Sequence, residues 1–315
     1  MADGKWIPGL KARTPVAEAA ARVLAARLDV VNRYLPLAVN QPDKDIEHVH
    51  QVRVATRRTG AALRIFADCL PPKVHEKVKK QVRRIRRAAG EARDWDVFLA
   101  ALAEREATRP AADKPGLDFL RGVVFALRLE AQQYLAAMAG DSPDVSAVLA
   151  EVHAPADRAS TFVEMALPAM QALLDEFTKA ISVRVTSYEQ LHRIRILGKR
   201  LRYAMEIFAD CFVPAFRANL YPQVEEMQEI LGFANDSHVA TTRLIHLRDQ
   251  VRASRPAEWS RLRPGIENLL KYHRQRLPQE RRRFGRWLTR WKRQHISLAD
   301  LLLNSKPTPL LSVTA

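Results

Sequence analysis

The stretch His50–Phe66, HQVRVATRRTGAALRIF, decides how this chain is read. Set on an α-helix at about 100° per residue, His50, Arg53, Arg57 and Arg64 fall on one stripe, and Val52, Ala55, Ala62, Leu63 and Phe66 on the opposite side. A helix of this kind buries the apolar stripe and presents the other. The presented face is cationic and carries no carboxylate to neutralise it.

The stretch recurs at His192–Phe208, HRIRILGKRLRYAMEIF, at an offset of 142 residues, the distance from His50 to His192. His192, Arg195, Lys199 and Arg200 match His50, Arg53, Arg57 and Arg58, and Ile194, Leu197, Leu201, Met205 and Phe208 rebuild the apolar stripe. Downstream at the same offset, Ile65–Cys69 matches Ile207–Cys211, Gly90 matches Gly232, and Asp94 matches Asp236. One offset held over about 48 residues points to duplication of a single unit.

Around these two copies lie 315 residues with 51 Lys+Arg against 35 Asp+Glu, a net charge of +16 and a pI near 10.3. The 47% hydrophobic content is that of a globular chain, long enough to bury a large core. The charge excess raises the local concentration of polyanions: nucleic acid, anionic lipid or phosphate polymers. No apolar run has the length of a membrane span, and the N-terminus MADGKWIPGLKART has no signal-peptide core, so no membrane partner is expected. Cys69 and Cys211 occupy matched positions. They read as buried thiols in a reducing cytosol, or as a pair that the repeats bring near each other.

Apolar periodicity gives helices and no strand signature. Residues 1–13 read as a poorly ordered lead-in. Thr14-Pro15 starts a first helix that runs to about Pro36, and the second carries His50–Phe66 and ends near Pro71-Pro72. The third is long, with Val74, Val78, Val82, Ile85 and Ala89 on one face. On another it carries Lys73, Lys77, Lys80, Arg84 and Arg87, widened by Arg83, Arg86 and Arg93. No acid interrupts Lys77–Arg87, unlike an ordinary solvated face with its i±4 carboxylates. A fourth helix spans Leu117–Met138, and Gly140–Pro155 is the linker between units, with a short helix at Val145–Val152. The next helix starts at or near Pro168. Ser187-x-x-Gln190 then reads as a capping box opening the helix that holds the second copy. The last two run from about Pro222 to Val251 and from Trp259 or Pro264 to Leu277.

The expected fold is all-α, two four-helix bundles related by internal duplication and pseudo-twofold symmetry. The first repeat covers 14–140, the second 158–280, and a basic C-terminal tail 281–315. In the tail Phe284, Trp287 and Trp291 interleave with arginines, either to stack bases or to dock the tail on the core.

No HExxH, Cys/His quartet, phosphate loop or serine triad is present, so neither catalytic residue, metal nor cofactor is predicted. His50 and His192 can act as phosphate donors that gain their proton with the ligand, as packing residues, or as ligands to a metal completed by water and phosphate. Asp94 and Asp236 could be a catalytic pair, or could anchor arginines at the unit interface.

HxxRVxxRR followed by IFADC, with the second copy LHRIRILGKRLRYAMEIF, resembles the CHAD family, the conserved histidine α-helical domain. RRAAGEARDWDVFL and ILGFANDSHV are similar to the family's second motif in each half, and the resemblance covers about 14–280. It implies two four-helix bundles forming one domain, with a basic central surface or pore that binds inorganic polyphosphate without turning it over. It also implies a cytoplasmic protein, with polyphosphate granules as a candidate location. The residues expected to line that surface are His50, Arg53, Arg57, Arg58, Arg64, His192, Arg195, Lys199, Arg200, Arg202 and Tyr203. Lys73, Lys77, Lys80, Arg83, Arg84 and Arg87 join them from the third helix. Nucleic acid is the second candidate partner, disfavoured by the scarcity of aromatics on the cationic stripes, and a metal-dependent phosphohydrolase is the third reading. One departure stands out. Glu225, Glu226 and Glu229 replace Arg83, Arg84 and Arg87, so binding is expected to be lopsided toward the first repeat.

Overall fold

The computed structural model describes residues 4–42, 44–106, 110–155 and 161–303. Over these the chain is all-helical: α1 (Val16–Asn40), α2 (Glu47–Ile65), α3 (Pro72–Glu106), α4 (Lys114–Ala136), α5 (Val145–Ala150), α6 (Phe162–Ser182), α7 (Tyr188–Phe208), α8 (Tyr221–Ser254) and α9 (Trp259–Leu303). No strand occurs among the described residues; Pro15 and Thr161 form an isolated bridge. The start of the second repeat at 158 and tail residues 304–315 lie outside the described residues.

The predicted apolar stripes are buried, from Val52, Ala55, Ala62 and Leu63 on α2 to Ile194, Leu197, Leu201 and Met205 on α7. They feed two cores. One gathers Val16–Leu28 of α1, Ala62–Val82, α6, α7, the first turns of α8 and the C-terminal part of α9. The other gathers Val31–Leu35 of α1, the start of α2, Ile85–Leu102 of α3, α4, the later turns of α8 and Leu262–Leu270 of α9. Each core therefore draws on both halves of the chain, because the long helices α1, α3, α8 and α9 pass from one into the other.

Several boundaries differ from the periodicity. α1 continues past Pro36 to Asn40, carried by buried Leu35 and Ala38. Pro168 lies inside α6 rather than at its start. The true start is a capping box in which the Thr161 N–H donates to Glu164 Oε2 at 2.9 Å, the same device as Ser187/Gln190 on α7. The described part of the lead-in, residues 4–13, packs against the core. Ile7 and Leu10 are buried, Trp6 packs on Tyr221 at 4.8 Å, and the Phe162 and Val163 N–H groups donate to Thr14 and Ala12. The last helix runs unbroken through Pro264, Pro278 and position 280. Its Phe284, Trp287 and Trp291 are buried, Trp287 Nε1 donates to the Gln223 carbonyl at 2.9 Å, and Phe177 meets both tryptophans edge-on. The tail aromatics dock; they do not offer faces to bases.

α4 and α9 cross at a glycine pair. A Cβ on Gly116 would run into the Leu262 carbonyl, and one on Gly265 into the Asp113 carbonyl. Backbone cannot yield as a flexible side chain does, so Gly265→Ala should cost about 1–3 kcal/mol, read as a lower urea midpoint. Gly122→Ala, on the exposed face of α4 with nothing within 4 Å, should leave the midpoint unchanged or raise it. Equal midpoints for Gly265→Ala and the parent protein would contradict the close crossing.

Candidate functional site

α2 and α7 lie side by side. Each sends its apolar stripe into the cores, so their cationic stripes converge on the shared seam. Arg53 and Arg57 of α2 meet Arg195, Lys199 and Arg202 of α7 closely enough to lower Arg57, Arg195 and Lys199. Burial, then repulsion by Arg57, Arg195, Arg53 and Arg202, pushes Lys199 down to about 5. Burial and the neighbouring Arg53 push Arg57 down to about 10. Arg195 is lowered by burial, with Asp236 pulling the other way. Tyr203 is buried beside them, with the Arg202 guanidinium 5.1 Å from its ring centroid.

The seam continues at both ends. Toward the start of α2, His50 is driven toward neutral, first by burial, with Glu47 opposing and Arg93, Arg53 and Arg57 adding to the shift. Toward its end, Arg64 is lowered by burial and by Arg200 and Arg86. Two openings flank α2. One, of about 450 Å³, is lined by Arg57, Arg86, Arg87, Gly90, Glu91, Asp94 and Arg243. The other, of about 300 Å³, lies between α2 and α3 and carries Arg64, Lys79, Arg83, Arg86 and His75.

The carboxylates near the seam are engaged by arginines. Arg53 Nη1 donates to Asp94 Oδ1 at 2.6 Å, and Arg243 stands 3.8 Å from the same carboxylate. Asp236 faces Arg195. Asp94 thus anchors Arg53, the second of the two roles open from the sequence, whereas Asp236 acts on Arg195 through its charge and accepts from the Asn235 side-chain amide at 3.3 Å. Below the seam Glu206 is fully buried, accepting from Arg58 Nε at 2.7 Å and the Tyr221 hydroxyl at 2.8 Å, with Arg27 at 3.8 Å.

These observations fix the family: a model of the CHAD domain matches residues 22–245, more than half of the chain. The chain belongs to the CHAD domain family. Polyphosphate binding is the known role of that family. The crystal structure of the CHAD domain from the plant Ricinus communis is similar at a TM-score of 0.71 and 23% identity, covering 90% of this chain and 95% of that one. PptA from Streptomyces chartreusis is similar at 0.61 and 18%, covering 88% and 100%. At these identities the likeness concerns the fold. Comparison with curated proteins gives no match.

Within this CHAD domain, the sequence-predicted residues divide. His50, Arg53, Arg57, Arg195, Lys199, Arg202 and Tyr203 share the seam, and Arg64, Arg200, Arg83 and Arg87 extend it. Arg200 also reaches Glu176 at 3.7 Å. His192 lies under Tyr188, whose hydroxyl is 3.4 Å from its Nδ1. Arg58 leaves the surface altogether for Glu206. Arg84 turns away to Asp141 at 3.0 Å, and Lys73, Lys77 and Lys80 are exposed on α3 without lining either opening. The reason is rotation. Positions 79, 83, 86 and 90 share the face of α3 toward α2, whereas 73, 77, 80 and 84 lie about a quarter of a turn or more from its centre. Lys79, Arg86 and Arg93 were legible from that 3–4 spacing; Arg243, which reaches in from α8, had no repeat partner to mark it. No group of three His, Cys, Asp or Glu among the described residues could hold a metal ion, and the two cysteines are free and buried.

Breaking the buried pair should be severe. Glu206→Gln leaves Arg58 without its counter-charge in a dry site and should cost about 3–5 kcal/mol in urea unfolding. The double variant Glu206→Met/Arg58→Met should recover part of that loss, since the buried Arg27 still loses its counter-charge. A single variant within the error of the parent would show that the pair is not buried in solution.

Proposed function

We propose that the protein binds inorganic polyphosphate along the α2–α7 seam and the two openings beside α2, as a non-enzymatic module. The observation that carries this is the seam itself: five basic side chains at Arg53, Arg57, Arg195, Lys199 and Arg202, crowded enough to depress Arg57, Arg195 and Lys199. A linear polyanion without bases suits a row of flexible and forked donors with no base-reading geometry. Family membership supports the same ligand. The binding is lopsided toward the first repeat. Both openings use α3. The equivalent glutamates of α8 instead hold the chain's outer segments, with Glu225 on Lys5 at 3.0 Å and Arg202 at 3.6 Å, and Glu226 on Arg290. The non-enzymatic role is supported by Asp94, which is held by Arg53 and faces Arg243. Such a module would reside on polyphosphate granules in the cytoplasm.

Nucleic acid is the weaker ligand because the aromatics of the seam and of the basic tail are buried: Tyr203 in the seam, and Phe284, Trp287 and Trp291 in the core. Among the described residues no helix is long and apolar enough to cross a membrane.

Two measurements test the proposal. Affinity for long-chain polyphosphate should fall steeply with salt, and in competition at 150 mM salt polyphosphate should displace single-stranded RNA and duplex DNA of matched charge. Replacing Arg86 and Arg87 with Glu should weaken binding at least about tenfold, since a well-formed charged contact contributes roughly 1.5–3 kcal/mol and an exposed one less. The same reversal at Lys77 and Lys80 should change it less. Salt-independent affinity, or preference for RNA, would overturn the proposal. Release of orthophosphate above a blank with Mg²⁺, lost in Asp94→Asn, would overturn its non-enzymatic part.

A further inference from the structure

A third cavity, of about 350 Å³, adjoins the opening beside Arg57, because Asp94 of α3 and Arg243 of α8 line both. Along α3 the two follow in file. Arg86, Arg87, Gly90 and Asp94 line the opening, and Asp94, Val97, Ala101 and Glu104 line the cavity, at helical spacing. α8 closes it with Phe233, Ser237 and Ala240, and α9 with His273 and Arg276.

The two spaces differ in chemistry. The opening sets Arg57, Arg86, Arg87 and Arg243 against Glu91 and Asp94. In the cavity Arg53, Arg93, Arg243 and Arg276 are balanced by Asp94, Asp96, Glu104 and Asp236. Charge therefore draws a bare phosphate chain to the opening and not into the cavity. What the cavity offers instead is apolar surface with a few polar groups set in it, the build of a small-molecule site. Ile46, Val97 and Phe233 line it and stay 46%, 38% and 37% exposed, in a fold that buries most of its large apolar side chains. The Arg276 guanidinium lies 5.3 Å from the Phe233 ring centroid and is held by donating to the Tyr272 hydroxyl at 2.8 Å. A phenyl ring and a guanidinium plane are both surfaces on which a flat heteroaromatic group stacks. Asn235, Ser237 and His273 add neutral donors and acceptors. Burial, then Arg276 and Arg105, lowers His273 to about 4, so its imidazole is uncharged. Glu104 and Asp236 are acceptors that suit hydroxyl donors.

We propose that this cavity takes the base and ribose of a nucleoside oligophosphate whose phosphate chain lies in the adjoining opening. The phosphate half of this site rests on the polyphosphate reading; the nucleoside half does not. A hydrocarbon would leave the polar wall groups unpaired, and a bare phosphate would meet carboxylates and a phenyl ring. A base joined through a sugar to phosphates meets each wall with its complement. Its flat uncharged face suits Phe233 and Arg276, its hydroxyls suit the carboxylates, and its phosphates suit the arginines of the opening. Arg243 stands at the junction, its guanidinium 4.0 Å from the Trp95 ring centroid and 3.8 Å from Asp94.

The test sets ATP against inorganic tripolyphosphate, by calorimetry on the full chain at 150 mM salt without divalent cations. Both ligands carry three phosphates and the inorganic chain carries more charge, so a purely electrostatic surface favours tripolyphosphate. ATP should instead bind about tenfold more tightly, as the stacking of one base allows. Phe233→Ala, at an exposed position, and Ala101→Phe, which fills the cavity from a half-buried one, should each bring ATP down to the affinity of tripolyphosphate. Neither should change the affinity for tripolyphosphate or long-chain polyphosphate. Far-UV circular dichroism checks that each variant is folded, and one folded variant is enough to decide. Tripolyphosphate binding as tightly as ATP, or an ATP preference that survives in a folded variant, overturns this inference; long-chain polyphosphate binding in the same experiment leaves the polyphosphate proposal standing. ATP preferred as expected, with no binding of long-chain polyphosphate, overturns the polyphosphate proposal and keeps the nucleoside site. If none of the three ligands binds, both fall.

Discussion

A buried carboxylate, Glu206, accepts from Arg58 of α2 and from the Tyr221 hydroxyl of α8, and lies close to Arg27 of α1. Four helices therefore share one dry ionic contact. Arg27 also donates to the Gly4 and Lys5 carbonyls and is lowered to about 10, first by burial, with Glu206 opposing the shift. Buried ion pairs are poor sources of net stability but strong determinants of register, because any other alignment strands a charge. Here the register matters. With Arg58 and Glu206 locked, Arg57 and Arg53 have nowhere to go but the side of α2 that faces Arg195 and Lys199.

The seam is thus a set of like charges held together by the rest of the fold. The cores supply that force: apolar stripes of α2 and α7 on one side, and on the other the passage of α1, α3, α8 and α9 through both cores. The outer segments add clamps. Lys5 and Arg290 fasten on Glu225 and Glu226, while the buried Trp287 and Trp291 seat the end of α9. Glutamates that look like lost phosphate contacts from the sequence are therefore the anchors of the two ends of the described chain.

Much of this was legible in the residues. Helical period alone identified the buried faces of α2 and α7 and the Ser187 capping box, while the meeting of Arg53 and Arg57 with Arg195 and Lys199 is what the resemblance to the CHAD family implied. Three kinds of information were not. Local signals fail where tertiary packing overrides them, as at Pro36, Pro168 and Pro278, each carried inside a helix by its buried neighbours. Pairing across the chain cannot be seen in a one-dimensional stripe, which is why Arg58 looks like a surface donor until Glu206 is placed beside it. Rotation about a long helix separates residues that composition lumps together, so Arg86 turns toward the seam and Arg84 toward Asp141.

The central claim is that cations on the seam cost the free protein stability that a polyanion restores. Arg57→Met tests it most directly, because it removes a half-buried, repelled charge without touching the Arg58–Glu206 contact. By thermal unfolding with and without long-chain polyphosphate, the variant should melt above the parent protein when free and should gain much less from the ligand. A variant that melts lower when free, or that gains as much from polyphosphate as the parent, would contradict it.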